Sequence, residues 1–272
     1  MRRPSIARLL GSVAVTALLA TGLGGCKTMG DFAGELTQKS DTTASVEADP
    51  RRAAEAYGER YRANPKDPEV ALRYGTALRA TGQRAQAVAV LGQASISNPG
   101  NKQLLAGYGR ALADNGNFQQ AFDVLSRAHS PDSPDWRILS VQGTALDQLG
   151  KHQEEARGYY ESALRIAPDE PSVLSNLGLS YVLSRDLPKA EETLRRAQAT
   201  GRADGRVRQN LALAVGLQGR FAEAETIARA DLPADEAAAN VAILKQMLAR
   251  KDVPRTATRG GKLPVVAQDP SD

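Results

Sequence analysis

The residues able to do covalent, acid–base or metal chemistry are few and widely spaced. The chain has a single cysteine, Cys26, so no intramolecular disulfide can form. Its only histidines are His129 and His152. A zinc site needs about four Cys, His or carboxylate ligands at knuckle or helical spacing, and no such set can be assembled. Neither a Gly-x-Ser-x-Gly elbow, a phosphate-binding Walker loop nor a His-Glu-x-x-His pair occurs. Gly107-Tyr108-Gly109 has two glycines of a dinucleotide-binding turn but lacks the third and a preceding strand, and reads as a point where helices cross. The carboxylate pairs Glu154-Glu155 and Glu191-Glu192 read as solvated helix faces, His152 as an exposed helix start and Trp136 as a packing residue. The expectation is therefore a protein that is not an enzyme, with no catalytic residue, cofactor, metal or small-molecule substrate.

The rest of the composition says what positions these residues. The 272 residues are rich in Ala, Leu, Arg and Gln, and aromatics make up 4%. Such unbranched side chains lose little rotamer freedom in a helix, so the body is expected to be helical. The formal charge of +4 is concentrated at the start: residues 1–25 carry Arg2, Arg3 and Arg8 and no acid, and without them the balance is +1. That leaves no phosphate-binding field, and the aromatics are too scattered for a base-stacking platform, so no nucleic acid is expected.

Residues 1–25 have the parts of a secretory signal peptide: a positive start, a short apolar run from Leu9 to Leu23, and small residues at its end. Leu23-Gly24-Gly25-Cys26 resembles the lipobox of bacterial lipoproteins, with Gly24 the less usual choice at its position. The resemblance implies cleavage before Cys26 and acylation of its thiol, which makes Cys26 the expected lipidation site. Each buried methylene of an acyl chain contributes about 0.8 kcal/mol, so several chains anchor firmly. Lys27 is not Asp, which in enterobacterial lipoproteins would imply the outer membrane. Residues 26–49 lack apolar periodicity and read as a flexible tether with a reach of roughly 25–30 Å.

A repeat follows. Tyr74-Gly75-Thr76-Ala77-Leu78 matches Tyr108-Gly109-Arg110-Ala111-Leu112 and Gln142-Gly143-Thr144-Ala145-Leu146, then Leu177-Gly178-Leu179 and Leu211-Ala212-Leu213. The glycine or its alanine substitute advances by 34, 34, 35 and 34 residues. Turns at Gly82, Gly116, Gly150 and Gly219, with Arg185 standing in once, precede a second set of small residues: Ala87, Ala121, Ala156, Ala190 and Ala224. The step of 35 is assigned to an insertion at Glu154-Glu155. Leu91, Leu125, Tyr160 and Leu194 are expected between the helices, and Pro65, Pro99, Pro134 and Pro168 to stop the second helices. This pattern resembles the tetratricopeptide repeat (TPR) over about Ala53 to Ala230. It implies an all-α, right-handed superhelical solenoid of about five helical hairpins, in which stacked neighbours complete each unit's core.

Residues 50–250 are thus expected to form the repeat domain. A helix over Pro50–Ala63 caps its start, and a final amphipathic helix over Ala234–Arg250 bears a stripe of Val241, Leu244 and Leu248. Residues 251–272 read as a disordered tail. In a TPR superhelix the first helices line the concave face, which places Arg79, Arg110, Thr144, Asn176, Leu179, Asn210 and Leu213 in a partner-binding groove. Thr76, Ser140, Asp147 and Ser175 are placed there too. Asn176 and Asn210 could hold a peptide backbone or could bridge adjacent helices. The Lys/Asn set with which chaperone-type TPRs clamp a terminal carboxylate is not reproduced.

A lipobox, a tether, about five repeats and a terminal helix together resemble the TadD-like lipoproteins of tight-adherence (Flp-type) pilus assembly. Asn210-Leu211-Ala212-Leu213-Ala214, Gly219-Arg220-Phe221-Ala222-Glu223-Ala224-Glu225 and Asp231-Leu232-Pro233 carry the likeness. It implies a pilotin-like, lipid-anchored scaffold at the outer membrane, facing the periplasm, with a secretin or other pilus component as protein partner. The alternative is an adaptor of another envelope machine, for outer-membrane protein assembly or polysaccharide export.

Overall fold

Short polar side chains choose where the first helix of each unit begins. The computed structural model describes residues 49–249 except Pro131 and Lys151, so the leader, Cys26, nearly all of the tether and the tail lie outside the described residues. Among the described residues the first helices are α2 (Pro68–Ala80), α4 (Lys102–Asp114), α6 (Trp136–Leu149), α8 (Pro171–Leu183) and α10 (Gly205–Leu217). Asp67, Asn101, Asp135, Glu170 and Asp204 precede them, and each side chain accepts a hydrogen bond from a first-turn N–H that has no helical partner.

The second helices are α3 (Arg84–Ser97), α5 (Phe118–Ser126), α7 (Gln153–Ile166), α9 (Leu187–Ala199) and α11 (Phe221–Ala228). Most start without a side-chain cap, because the turn before them is set by backbone. Gly82, Gly116 and Gly219 have φ of +75°, +83° and +85°. The next N–H then reaches back over the end of the first helix, as from Gln83 to the Leu78 carbonyl at 2.8 Å. Arg185 takes the same left-handed conformation, φ +63°, where the other units use glycine. The second helix of the third unit holds no extra residue at Glu154-Glu155; the added position comes before His152. His152 and Ala156 keep the spacing that Gln83 and Ala87 have, so the helix itself has no insertion.

Small residues let the two helices of a hairpin cross closely. A Cβ placed on Gly75, Gly109 or Gly178 would lie 2.5, 2.4 or 2.5 Å from Cγ of Leu91, Leu125 or Leu194 in the second helix. Gly143 faces the Tyr160 ring in the same way. The fifth unit divides the space differently, with Ala212 and Ala228 at the two positions. All of these leucines and Tyr160 are buried, as are Ala87, Ala121, Ala156, Ala190 and Ala224.

The stacking is one-sided. The backbones of successive first helices pack closely, whereas successive second helices stand further apart and meet through long side chains, as Phe122 does with Tyr159 and Arg195 with Glu223. First helices therefore lie along the inner arc and second helices along the outer one. α1 (Pro50–Ala63) precedes the array, packing Ala53 and Tyr57 with Ala77. α12 (Ala234–Ala249) closes the far end against α10 and α11, with Val241 buried and Leu244 and Leu248 half-buried. No helix among the described residues is long and apolar enough to cross a membrane.

One second helix departs from the expected pattern. α5 ends at Ser126, well before Pro134, and residues 127–130 and 132–135 are irregular apart from an isolated bridge between Ser130 and Ser133. Pro131 has no N–H to continue a helix and disfavours helical backbone at Ser130, so the stop comes before Pro134. Ser126, His129 and Gln142 meet at this junction. Gln142 Nε2 donates to Ser126 Oγ, and His129 Nε2 lies 3.0 Å from Gln142 Oε1. An amide oxygen can only accept, so His129 Nε2 is the donor of this pair, and Nδ1 is buried without a hydrogen-bond partner.

Candidate functional site: the inner face

The inner face carries three kinds of surface in sequence along the array. Beside the first hairpin a cavity of about 720 Å³ opens between α1, α2 and the start of α4, walled by Tyr57, Leu72, Thr76 and Gln103 among others. Next comes a charged stretch. Arg79 Nε donates to Asp114 Oδ2 at 2.6 Å, joining α2 to α4. Arg110, one turn before Asp114, makes no hydrogen bond or ion pair with any described residue. Burial pushes its guanidinium below the usual arginine range, Asp135 and Asp114 oppose that shift, and Arg79 and Arg137 add to it.

The middle of the face is sewn shut by polar contacts. Asn176 Nδ2 donates to Ser140 Oγ at 3.1 Å, and Asn210 Nδ2 to Ser175 Oγ at 2.9 Å. The two asparagines therefore bridge successive first helices, α6 to α8 and α8 to α10. Ser140 and Ser175 are buried at 6% and 5% exposure, so they hold neighbours together and face no ligand. Asp147 is buried as well. It accepts from Tyr160 Oη at 2.9 Å and from Ser180 Oγ at 2.9 Å, tying α6 to α7 and α8. Burial raises its carboxyl above the ordinary range, and the two hydroxyls and Arg157 offset part of that. Thr144 is half-buried and donates to the Ser140 carbonyl of its own helix.

Beyond these contacts the face turns apolar. Leu179, Leu213 and Leu217 are half-buried and pack against the core of the last units. α12 touches α10 and α11 and no earlier helix, so it leaves the inner face of α2 to α8 uncovered.

Spacing within one repeat picks out Arg79, Arg110, Thr144, Asn176, Leu179, Asn210 and Leu213, and the structure puts all seven on the first helices of the inner layer. It joins several of them to residues of adjacent units and does not bring them to one point. Asp114, Asp135 and Arg137, which surround Arg110 electrostatically, carry no such signal in the sequence. Asp135 announces itself only as a helix cap, and its proximity to Arg110 follows from stacking two units. On the outer layer Glu191 is no solvated face residue: Arg195, Arg220 and Gln218 converge on it, with Arg220 at 2.7 Å, and hold its carboxylate below the usual range against the effect of burial. Glu154 and Glu155 are exposed. Among the described residues no cluster of three or more His, Cys, Asp or Glu could hold a metal ion.

The tetratricopeptide-repeat family model matches residues 72–135. No curated protein matches the chain significantly. Among solved structures, PilW, a widely conserved type IV pilus biogenesis factor, is similar at 17% identity and a TM-score of 0.62, over 79% of this chain and 98% of that one. A thermophilic TPR protein of Thermus thermophilus is similar at 24% identity and a TM-score of 0.55, over 66% of this chain and 100% of that one. In the Cut9–Hcn1 complex the match is 17% identical with a TM-score of 0.62 and covers 78% of this chain; this chain spans only 42% of that one. The fold is an all-α TPR superhelix.

Proposed function

We infer that this TPR superhelix is a protein-binding scaffold, and propose that it works from a lipid anchor on Cys26 in a bacterial envelope. The observation that carries the reading is the inner face. No other described helix lies across it along α2 to α8, and it changes from cavity to charge to apolar side chains, which suits an extended or helical segment of another protein. Support for the anchor is the signal-like leader ending in Leu23-Gly24-Gly25-Cys26. Support for the setting is the likeness to TadD-like lipoproteins, and a fold shared with a pilus biogenesis factor. In this reading the lipid fixes the array at the periplasmic side of the outer membrane, and the groove takes a segment of a secretin or another component of a tight-adherence pilus.

The test is a crosslinking pull-down from membranes with the native chain and with Cys26→Ser. Recovery of a secretin or pilus subunit with the native chain, lost with Cys26→Ser, is the expected result. Recovery of an outer-membrane protein assembly or polysaccharide export complex would sink the pilus assignment and keep the scaffold. Recovery of nothing but the chain itself would sink both.

A further inference from the structure

Arg110 is an inner-face cation whose guanidinium has no hydrogen-bond or ion-pair partner among the described residues. The carboxylates that act on it are otherwise engaged. Asp114 is bound to Arg79 Nε, and Asp135 caps α6 by accepting the Arg137 N–H at 2.8 Å. Arg79 and Arg137, on the first helices to either side, add positive potential at Arg110, and no described residue accepts from its guanidinium. A half-buried guanidinium has already lost part of its hydration, and it offers five N–H donors in a planar fork that fits two carboxylate oxygens. Hydrogen bonds between such ionised partners are shorter and about twice as strong as neutral ones. Arg79, by contrast, is held by Asp114 and serves to keep α2 and α4 in register.

We propose that the inner face over α2, α4 and α6 binds an acidic segment of its protein partner, with an Asp or Glu side-chain carboxylate seated bidentately on Arg110. This rests on the scaffold reading above and names the chemistry of the partner it captures. The neighbouring cavity lined by Leu72 and Thr76 then receives the less polar residues of the same segment, and the apolar stretch at Leu179 and Leu213 lies beyond it.

The probe is fluorescein-labelled hexaglutamate, with hexaglutamine as its neutral counterpart, titrated by fluorescence anisotropy against the full chain in non-ionic detergent. Hexaglutamate is expected to bind, more weakly as salt rises, and hexaglutamine not to bind. Arg110→Gln should weaken hexaglutamate binding at least tenfold. Arg110→Lys should recover part of the loss, because a point charge replaces the fork, and Arg127→Gln, at the exposed end of α5, should leave binding unchanged. Circular dichroism of each variant confirms that the array is intact. Absence of hexaglutamate binding to the native chain overturns the proposal, as does equal binding by Arg110→Gln or an equal loss with Arg127→Gln. If Arg110→Gln still recovers the native partner from membranes in full, this inference fails while the scaffold reading stands.

Discussion

The closest steric contact in each hairpin supplies a quantitative test of how the array is held together. In the fourth unit a methyl group on Gly178 would lie 2.5 Å from Leu194 Cγ and 2.9 and 3.1 Å from its two methyls, all inside the roughly 3.5–4.0 Å optimum for carbon contacts. Overpacking of this kind destabilises by about 1–3 kcal/mol, and replacing a helical glycine by alanine returns about 1 kcal/mol. Gly178→Ala alone should therefore destabilise by about 1 kcal/mol. Leu194 is fully buried, and Leu194→Ala should destabilise by about 3 kcal/mol through lost burial and a cavity. In the double variant the added methyl meets no leucine and fills part of that cavity. The combined loss should be about 2 kcal/mol, where simple addition requires about 4 kcal/mol. The fifth unit already uses this solution with Ala212 and Ala228. The assay is urea unfolding followed in parallel by circular dichroism and by fluorescence of Trp136, with coincident transitions required before free energies are compared. Additive losses, within about 0.5 kcal/mol, would refute the claim that this glycine is present for the leucine opposite.

Two further outcomes follow from the turn and the buried carboxylate. Arg185 holds a left-handed backbone that glycine adopts without strain, so Arg185→Gly should raise the unfolding free energy by about 0.5–1 kcal/mol, net of the chain entropy glycine adds to the unfolded state. Gly116→Ala, which demands the same conformation of a residue with a Cβ, should lower it by a similar amount, and urea midpoints that move the other way would contradict the turn assignment. Asp147 has a native carboxyl raised by burial, so in the window between its ordinary unfolded value of about 3.9 and its native value the folded state binds more protons. Stability contributed by this group is therefore present at low pH and declines as pH rises through that window. Asp147→Asn cannot titrate, so native stability minus variant stability should fall as pH rises from about 4 towards neutrality, and a flat or rising difference would contradict it.

Spacing makes the architecture readable because one physical demand recurs in each unit: two helices must cross, and only small residues permit it. Gly75, Gly109, Gly143 and Gly178, and the leucines and Tyr160 facing them, are legible for that reason. So is the role of Arg185, since the turn it occupies must be left-handed in each unit. What escapes the sequence depends on neighbours in space. Ser140, Ser175 and Asp147 fall on the inner-facing positions when one repeat is counted, yet the next unit buries all three. Glu191 looks like any helix-surface glutamate until Arg220 and Gln218 of the following hairpin are placed beside it. The early end of α5 is signalled by Ser130-Pro131, which the more regular Pro134 masks. The position of the extra residue near 151 is ambiguous in sequence, because a turn and the first turn of a helix are both polar there.

The backbones of the first helices pack closely along the inner arc, while the second helices of the outer arc meet through long, partly exposed side chains such as Phe122 with Tyr159 and Arg195 with Glu223. An array built this way is a leaf spring with one edge bonded more tightly than the other. Bending that opens the outer arc needs only those side chains to shift, whereas stretching the inner edge must break the Arg79–Asp114 pair and the Asn176 and Asn210 rungs. A pull transmitted along the chain would thus be borne by these few rungs, and curvature would be the soft coordinate by which the groove adjusts to the thickness of what it holds.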